Sequence, residues 1–164
     1  MYQSEIKEMT YSTKDQSILY LEVNDDDTAI CIIDRGGWPC SYIKMPEDIY
    51  QNYVKSINWD GNYDDIDVWV HGGVTFGEYC KLLIRSDHSH YDQFKVDERV
   101  PEGYWFGWDY AHAGDYCYRD LPDPAFQWDS TYEKKYTTEE LIEEAHEALK
   151  ELRENNFHIY TLKD

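Results

Sequence analysis

The sequence predicts an α+β fold: an antiparallel sheet opening with an N-terminal β-hairpin and closed by one amphipathic C-terminal helix packed on the sheet. Three observations predict it. ILYLEV (18–23) and TAICII (28–33), both rich in β-branched and apolar residues, flank the turn-forming NDDD. YWFGWDY (104–110) alternates along its length as a half-buried strand does. Residues 137–155 carry a helical apolar stripe, and helical patterns are otherwise too few for alternating βαβ units.

The elements follow in order. Asn24 and the three aspartates after it tolerate turn geometry and bond their own backbone, so 18–33 reads as a hairpin with a four-residue loop. The Asp25–Asp27 run lacks the acid and glycine spacing of a calcium loop. In DRGGWPC (34–40) the paired glycines mark a turn, and Pro39 excludes a central strand position; CSYIKM (40–45) is a third strand. PEDIYQNYVKSI (46–57) has helical spacing in Ile49, Tyr50, Tyr53, Val54 and Ile57, with acids in its first turn. WDGNYDDID (59–67) is a loop, and VWVHGGVTF (68–76) is a strand broken at Gly72–Gly73.

Residues 81–103 begin apolar and become a polar excursion ending at Pro101. In the next strand Tyr104, Phe106, Trp108 and Tyr110 share one face, and Trp105, Gly107 and Asp109 the other. Residues 116–136, with Pro122 and Pro124, read as irregular surface chain. Thr137 with Glu140 forms a capping box, and Leu141, Ile142, Ala145, Ala148, Leu149 and Leu152 form the buried stripe. Asn155–Asn156 suit a stop, and FHIYTL (157–162) is a candidate closing strand. The whole of 1–164 is taken as a single domain, comprising a hairpin region (18–45), a motif-bearing sheet (68–116) and the helix (137–155).

Composition bounds the function. The 164 residues are 41% hydrophobic and 16% aromatic, enough for a packed core. With 34 Asp+Glu against 15 Lys+Arg, the formal charge is -19. That charge repels bare nucleic-acid backbone, so no direct nucleic-acid binding is expected, and it favours a partner protein with a basic surface. Solubility alone also accounts for an acidic surface. Sixteen Tyr, six Trp and five Phe either face a sheet or supply a binding surface. Cys31, Cys40, Cys80 and Cys117 form no C-x-x-C pair, and no secretory leader or membrane-spanning run is visible, so a cytoplasmic protein with reduced thiols is expected.

Two segments carry unusual chemistry: HGGVTFG (71–77) and GWDYAHAGD (107–115). If their strands are neighbours, His71, Thr75, Asp109, His112 and Asp115 meet at one end of the sheet. A carboxylate beside a histidine fixes its tautomer and raises its basicity, and two His with two Asp can hold a metal that activates water. His71, Asp109, His112 and Asp115 are therefore the candidate catalytic residues. No zinc-type spacing is present, so no metal ligand and no cofactor is assigned. No nucleophile motif is present either. The same residues have a purely structural reading: the aspartates cap backbone N–H groups in a tight turn, the histidines are hydrogen-bonded spacers, and Gly107 makes room for a tryptophan from the facing layer. Candidate binding residues are Asp25, Asp26 and Asp27 on the hairpin loop, with Thr75, Trp105 and Trp108. His88, His90, His146 and His158 are assigned no chemistry.

The two motifs resemble the paired signatures of a small-protein family of phages and prophages. His71, Gly72, Gly73, Val74, Thr75 and Phe76 match the first signature. Trp105, Phe106, Gly107, Trp108, Asp109, Ala111, His112, Gly114 and Asp115 match the second. The resemblance covers positions 68–116 and leaves out the hairpin. Some members of that family resemble type II anti-CRISPR proteins. The resemblance thus implies a counter-defence protein in the cytoplasm of an infected or lysogenic bacterial host. Its partner would be a CRISPR effector nuclease or its RNA complex, whose nucleic acids lie in a positively charged channel. The alternatives are a nuclease that truncates guide RNA through the His/Asp cluster, and a sponge for a small nucleotide signal.

Overall fold

The computed structural model describes residues 1–12, 15–85, 94–118 and 133–161. It is an α+β fold built on a six-stranded antiparallel sheet. The strands are β1 (Tyr2–Gln3), β2 (Ser17–Val23), β3 (Ala29–Asp34), β4 (Pro39–Lys44), β5 (Phe76–Cys80) and, after a separate two-stranded ribbon of β6 (Leu83–Arg85) and β7 (Phe94–Val96), β8 (Gly103–Asp109). Their order across the sheet is β1-β2-β3-β4-β8-β5. The helices are α1 (Glu47–Ile57) and α2 (Thr138–Glu154).

The N-terminal hairpin is β2–β3, with Leu21 opposite Cys31 and Val23 opposite Ala29. Its loop closes through the Asn24 N–H donating to the Thr28 carbonyl at 2.9 Å, while Asp27 takes a left-handed φ of 65°. Pro39 opens β4 opposite Asp34, a first-residue position where its missing N–H costs no ladder bond. β4 is nonetheless a central strand, lying between β3 and β8.

The central strands β2, β3, β4 and β8 are buried on both faces, and strand alternation sorts their side chains. Ile30, Ile32, Ile43, Phe106, Trp108 and Tyr110 share one core layer with the fully buried Leu141, Ala145, Leu149 and Leu152 of α2, while Tyr104 in the same layer stacks on Tyr50 of α1. Ala29, Cys31, Ile33, Cys40, Tyr42 and Trp105 pack on the other face with Leu82, Val100 and, less deeply, Ile84 of the ribbon. Cys31 and Cys40 are buried free thiols, pushed up to about 12 by desolvation. At α2 the capping box is present: the Thr137 hydroxyl accepts from the Glu140 N–H, and the Glu140 carboxylate accepts from the Thr137 N–H. Thr138 beside it is buried, donating to the Lys7 carbonyl and accepting from the Met9 N–H, which fastens the N-terminal segment to the helix.

Three further expectations are corrected. Residues 68–75 are not a strand. The chain turns at Val70–Gly73, where the Gly73 N–H donates to the Val70 carbonyl, and β5 starts only at Phe76. Residues 157–161 make one isolated bridge, Ile159 to Ile66, in place of a closing strand, although Phe157 and Ile159 are buried. Gly107 makes room for Tyr42, not for a tryptophan: a Cβ there would stand 2.5 Å from the Ser41 carbonyl oxygen and 2.6 Å from the Tyr42 ring. His88, His90, Pro122 and Pro124 lie outside the described residues.

Candidate functional site

Both motifs lie at one end of the sheet, the first entering β5 and the second leaving β8. β5 and β8 are antiparallel neighbours, Phe76 lies opposite Gly107, and the Thr75 N–H extends the ladder by donating to the Gly107 carbonyl. The chain leaving β8 therefore runs alongside the chain entering β5. This brings His71, His112 and Asp115 together, with one ligand-type atom from each within 4.8 Å of the others.

Asp115 is the centre, its side chain only 4% exposed. Its Oδ2 lies 2.8 Å from His71 Nε2 and accepts the His112 backbone N–H at 3.1 Å. The Asp115 N–H donates to the His112 carbonyl, closing the turn around Gly114. His112 Nδ1 lies 3.6 Å from Asp115 Oδ2 and 3.6 Å from Asp109 Oδ1, too far for a hydrogen bond to either. Asp109 is held beside the trio, accepting from the Ala111 N–H at 3.0 Å and from the Thr75 hydroxyl at 3.2 Å. The His112 ring lies against Gly72: a Cβ at Gly72 would stand 2.3 Å from its Cε1.

The floor of the site comes from residues the motifs alone do not single out. The His71 ring stacks on Tyr110, with centroids 4.6 Å apart and planes 8° apart, and meets Tyr136 edge-on. Glu144 of α2 accepts the His71 backbone N–H on one oxygen and the Tyr110 hydroxyl on the other, each at 2.8 Å. Burial raises the Tyr110 hydroxyl well above its ordinary range, so it stays a donor. Glu144 was legible only as one of many glutamates on the polar side of a helix.

The other candidates fall elsewhere. Trp105 and Trp108 are 0% and 1% exposed, so neither belongs to a binding surface; alternation in β8 sends one into each core layer. Asp25, Asp26 and Asp27 lie at the opposite end of the sheet, where Ala29 pairs with Lys44 and Lys44 with Trp105, whereas Asp109 pairs with Cys40. Two of the three are structural. Asp27 accepts from the buried Lys44 ammonium and from the Glu47 N–H at the start of α1. Asp26 accepts from Thr28 and Arg153. Asp25 is exposed and meets the N-terminal ammonium.

Two open grooves flank the cluster. Thr75 and Asp109 line one, with Arg35, Trp38 and Tyr42. His71 lines the other, about 440 Å³, with Trp69, Tyr136, Glu140, Glu143 and Glu147. Trp69 is 88% exposed, and Glu143 and Glu147 are exposed beside it. No protein-family model, curated protein or solved structure matches the chain. No described helix is long and apolar enough to cross a membrane.

Proposed function

We propose that the protein is a non-enzymatic inhibitor that docks on a basic surface of a partner protein. In the form the motif resemblance implies, it is a phage-type counter-defence protein directed at a type II CRISPR effector nuclease or its guide complex. The observation that carries this reading is Trp69, 88% exposed on the rim of a groove walled by Glu143 and Glu147. An indole stands ready to cover an arginine or lysine, and the flanking carboxylates supply complementary charge. The net charge of -19 steers encounter toward a cationic channel.

The test is DNA cleavage by a type II effector–guide complex titrated with the protein, with guide length followed on the same samples. Inhibition saturating at a fixed stoichiometry, weakening as salt rises, and leaving the guide full length supports docking. Trp69→Ala should weaken inhibition about 30-fold, the equivalent of a ~2 kcal/mol hot spot, without loss of stability, because the ring is outside the core. Undiminished inhibition by Trp69→Ala at all salt concentrations overturns the surface assigned here. A second reading, a guide-RNA nuclease, is favoured by the convergence of His71, His112 and Asp115 beside Asp109. Guide shortening at substoichiometric protein, abolished in a folded His112→Ala variant, would establish it in place of docking.

A further inference from the structure

We propose that His71 Nε2, His112 Nδ1 and an Asp115 carboxylate oxygen form a binding site for a divalent late first-row metal ion of the zinc class, with its remaining coordination position open to solvent. The three donors lie within 4.8 Å of one another. Independent of that proximity, His112 Nδ1 is buried and makes no hydrogen bond among the described residues. A buried ring nitrogen without a hydrogen bond is costly, and a bound ion is one way to satisfy it.

One donor pair already has the spacing of a shared ion, and a second is a hydrogen bond that an ion would replace. Metal–nitrogen and metal–oxygen bonds of about 2.0–2.2 Å place two donors on one tetrahedral ion roughly 3.3–3.6 Å apart. His112 Nδ1 and Asp115 Oδ2 are 3.6 Å apart, beyond hydrogen bonding and at that spacing. His71 Nε2 and Asp115 Oδ2, at 2.8 Å, share a proton that an ion would replace. Two imidazoles with one carboxylate select zinc, nickel, cobalt or iron over calcium or magnesium, which prefer all-oxygen sites.

The surroundings are those of a supported site. His71 is held by Glu144 through its backbone N–H and by Tyr110 through ring stacking. Asp115 is fixed by the His112 N–H. Asp109, anchored by Thr75 and Ala111, stands 3.6 Å from His112 Nδ1 as an outer carboxylate. The side chains of His71 and His112 are 26% and 36% exposed, so an ion there is reachable from solvent. Such an ion would cross-link the 110–115 turn to the 70–73 turn. The site adjoins the groove beside Trp69, which His71 also lines.

The test uses the full chain, stripped with chelator and titrated with Zn2+ by calorimetry, with Co2+ as a visible spectroscopic probe. We expect one equivalent of Zn2+ bound and a tetrahedral Co2+ spectrum. His112→Ala and Asp115→Asn should each lower affinity on the order of 100-fold or more, while His146→Ala leaves it unchanged. Because those variants can also loosen the turn, imidazole nitrogen NMR of the unaltered chain provides a readout that needs no substitution. Zn2+ should shift His71 at Nε2 and His112 at Nδ1. Less than one equivalent bound, equal binding by a folded His112→Ala variant, or shifts confined to other histidines would overturn the proposal.

Discussion

Gly72→Ala and Gly73→Ala form a matched pair that isolates how tightly the two motifs are locked together. Both glycines have left-handed backbones, with φ of 69° and 82°, so an added Cβ strains either one. That shared backbone penalty is about 1–2 kcal/mol. The surroundings then separate them. A Cβ at Gly73 meets nothing within 4 Å. At Gly72 it would stand 2.3 Å from His112 Cε1, 2.6 Å from Nε2 and 2.7 Å from Nδ1, so the whole ring must move. The His112 backbone is tied to Asp115 at 3.1 Å, so the ring has to turn away from Gly72 about its own side-chain bonds. Relieving such an overlap in a packed region costs roughly 1–3 kcal/mol more. Gly73→Ala should therefore destabilise by about 1–2 kcal/mol and Gly72→Ala by about 2–5 kcal/mol. Urea unfolding followed by tryptophan fluorescence reads both, and comparable m-values would confirm that the same unfolded state is reached. If Gly72→Ala costs no more than Gly73→Ala, the His112 ring is not seated against Gly72, and the convergence of the two motifs is mistaken.

Two further predictions concern the scaffold. Leu149 is 1% exposed in the layer between α2 and the sheet, so Leu149→Ala should cost on the order of 2–5 kcal/mol, measured by the same denaturation. A small change would mean that α2 is not docked through this stripe. Glu22 is 5% exposed; burial opposes its ionisation, but bonds from His146, Asn24 and Tyr20 together outweigh that and lower its pKa from the ordinary 4.5. A depressed folded value means stability that is fully present above that ordinary value and lost as pH falls through the lower folded one. The acid limb of a stability–pH curve should accordingly flatten in Glu22→Gln, and an unchanged limb would remove Glu22 from the account.

Where structure was legible in the sequence, the signal was local. The α2 boundaries follow from a capping box and a stop at Asn155, both written within a single turn. The division of β8 into two faces follows from pleat geometry alone, and the core layers obey it. What was missed depends on distant partners. β1 is two residues long and exists because it pairs with β2; β6 and β7 are three residues each and exist because they pair with each other. In the other direction, Val68, Trp69 and Val70 read as strand by residue type, yet they lead into the turn at Val70–Gly73, with Trp69 left in solvent. β-propensity records a fit to a pleated, half-buried surface, and here that surface is absent around Trp69.

The site divides along the same line. His71, His112 and Asp115 stand out because histidine and aspartate lie close to glycine in both motifs, and the β5–β8 pairing then brings them together. Glu144 could not be picked out. It is one glutamate among Glu139, Glu140, Glu143, Glu147 and Glu151, chemically identical to them, and only the rotation of α2 against the sheet aims it at His71 and Tyr110. The tryptophans pose the same problem in reverse. Trp105 and Trp108 lie within the motif and Trp69 outside it, so motif membership pointed to the wrong rings as a docking surface. A motif marks where backbone geometry is demanding, and β8 meets that demand by burying its aromatics. A surface for a partner has to come from side chains the core does not use, and Trp69, projecting from a turn that the glycines of the first motif complete, is such a side chain.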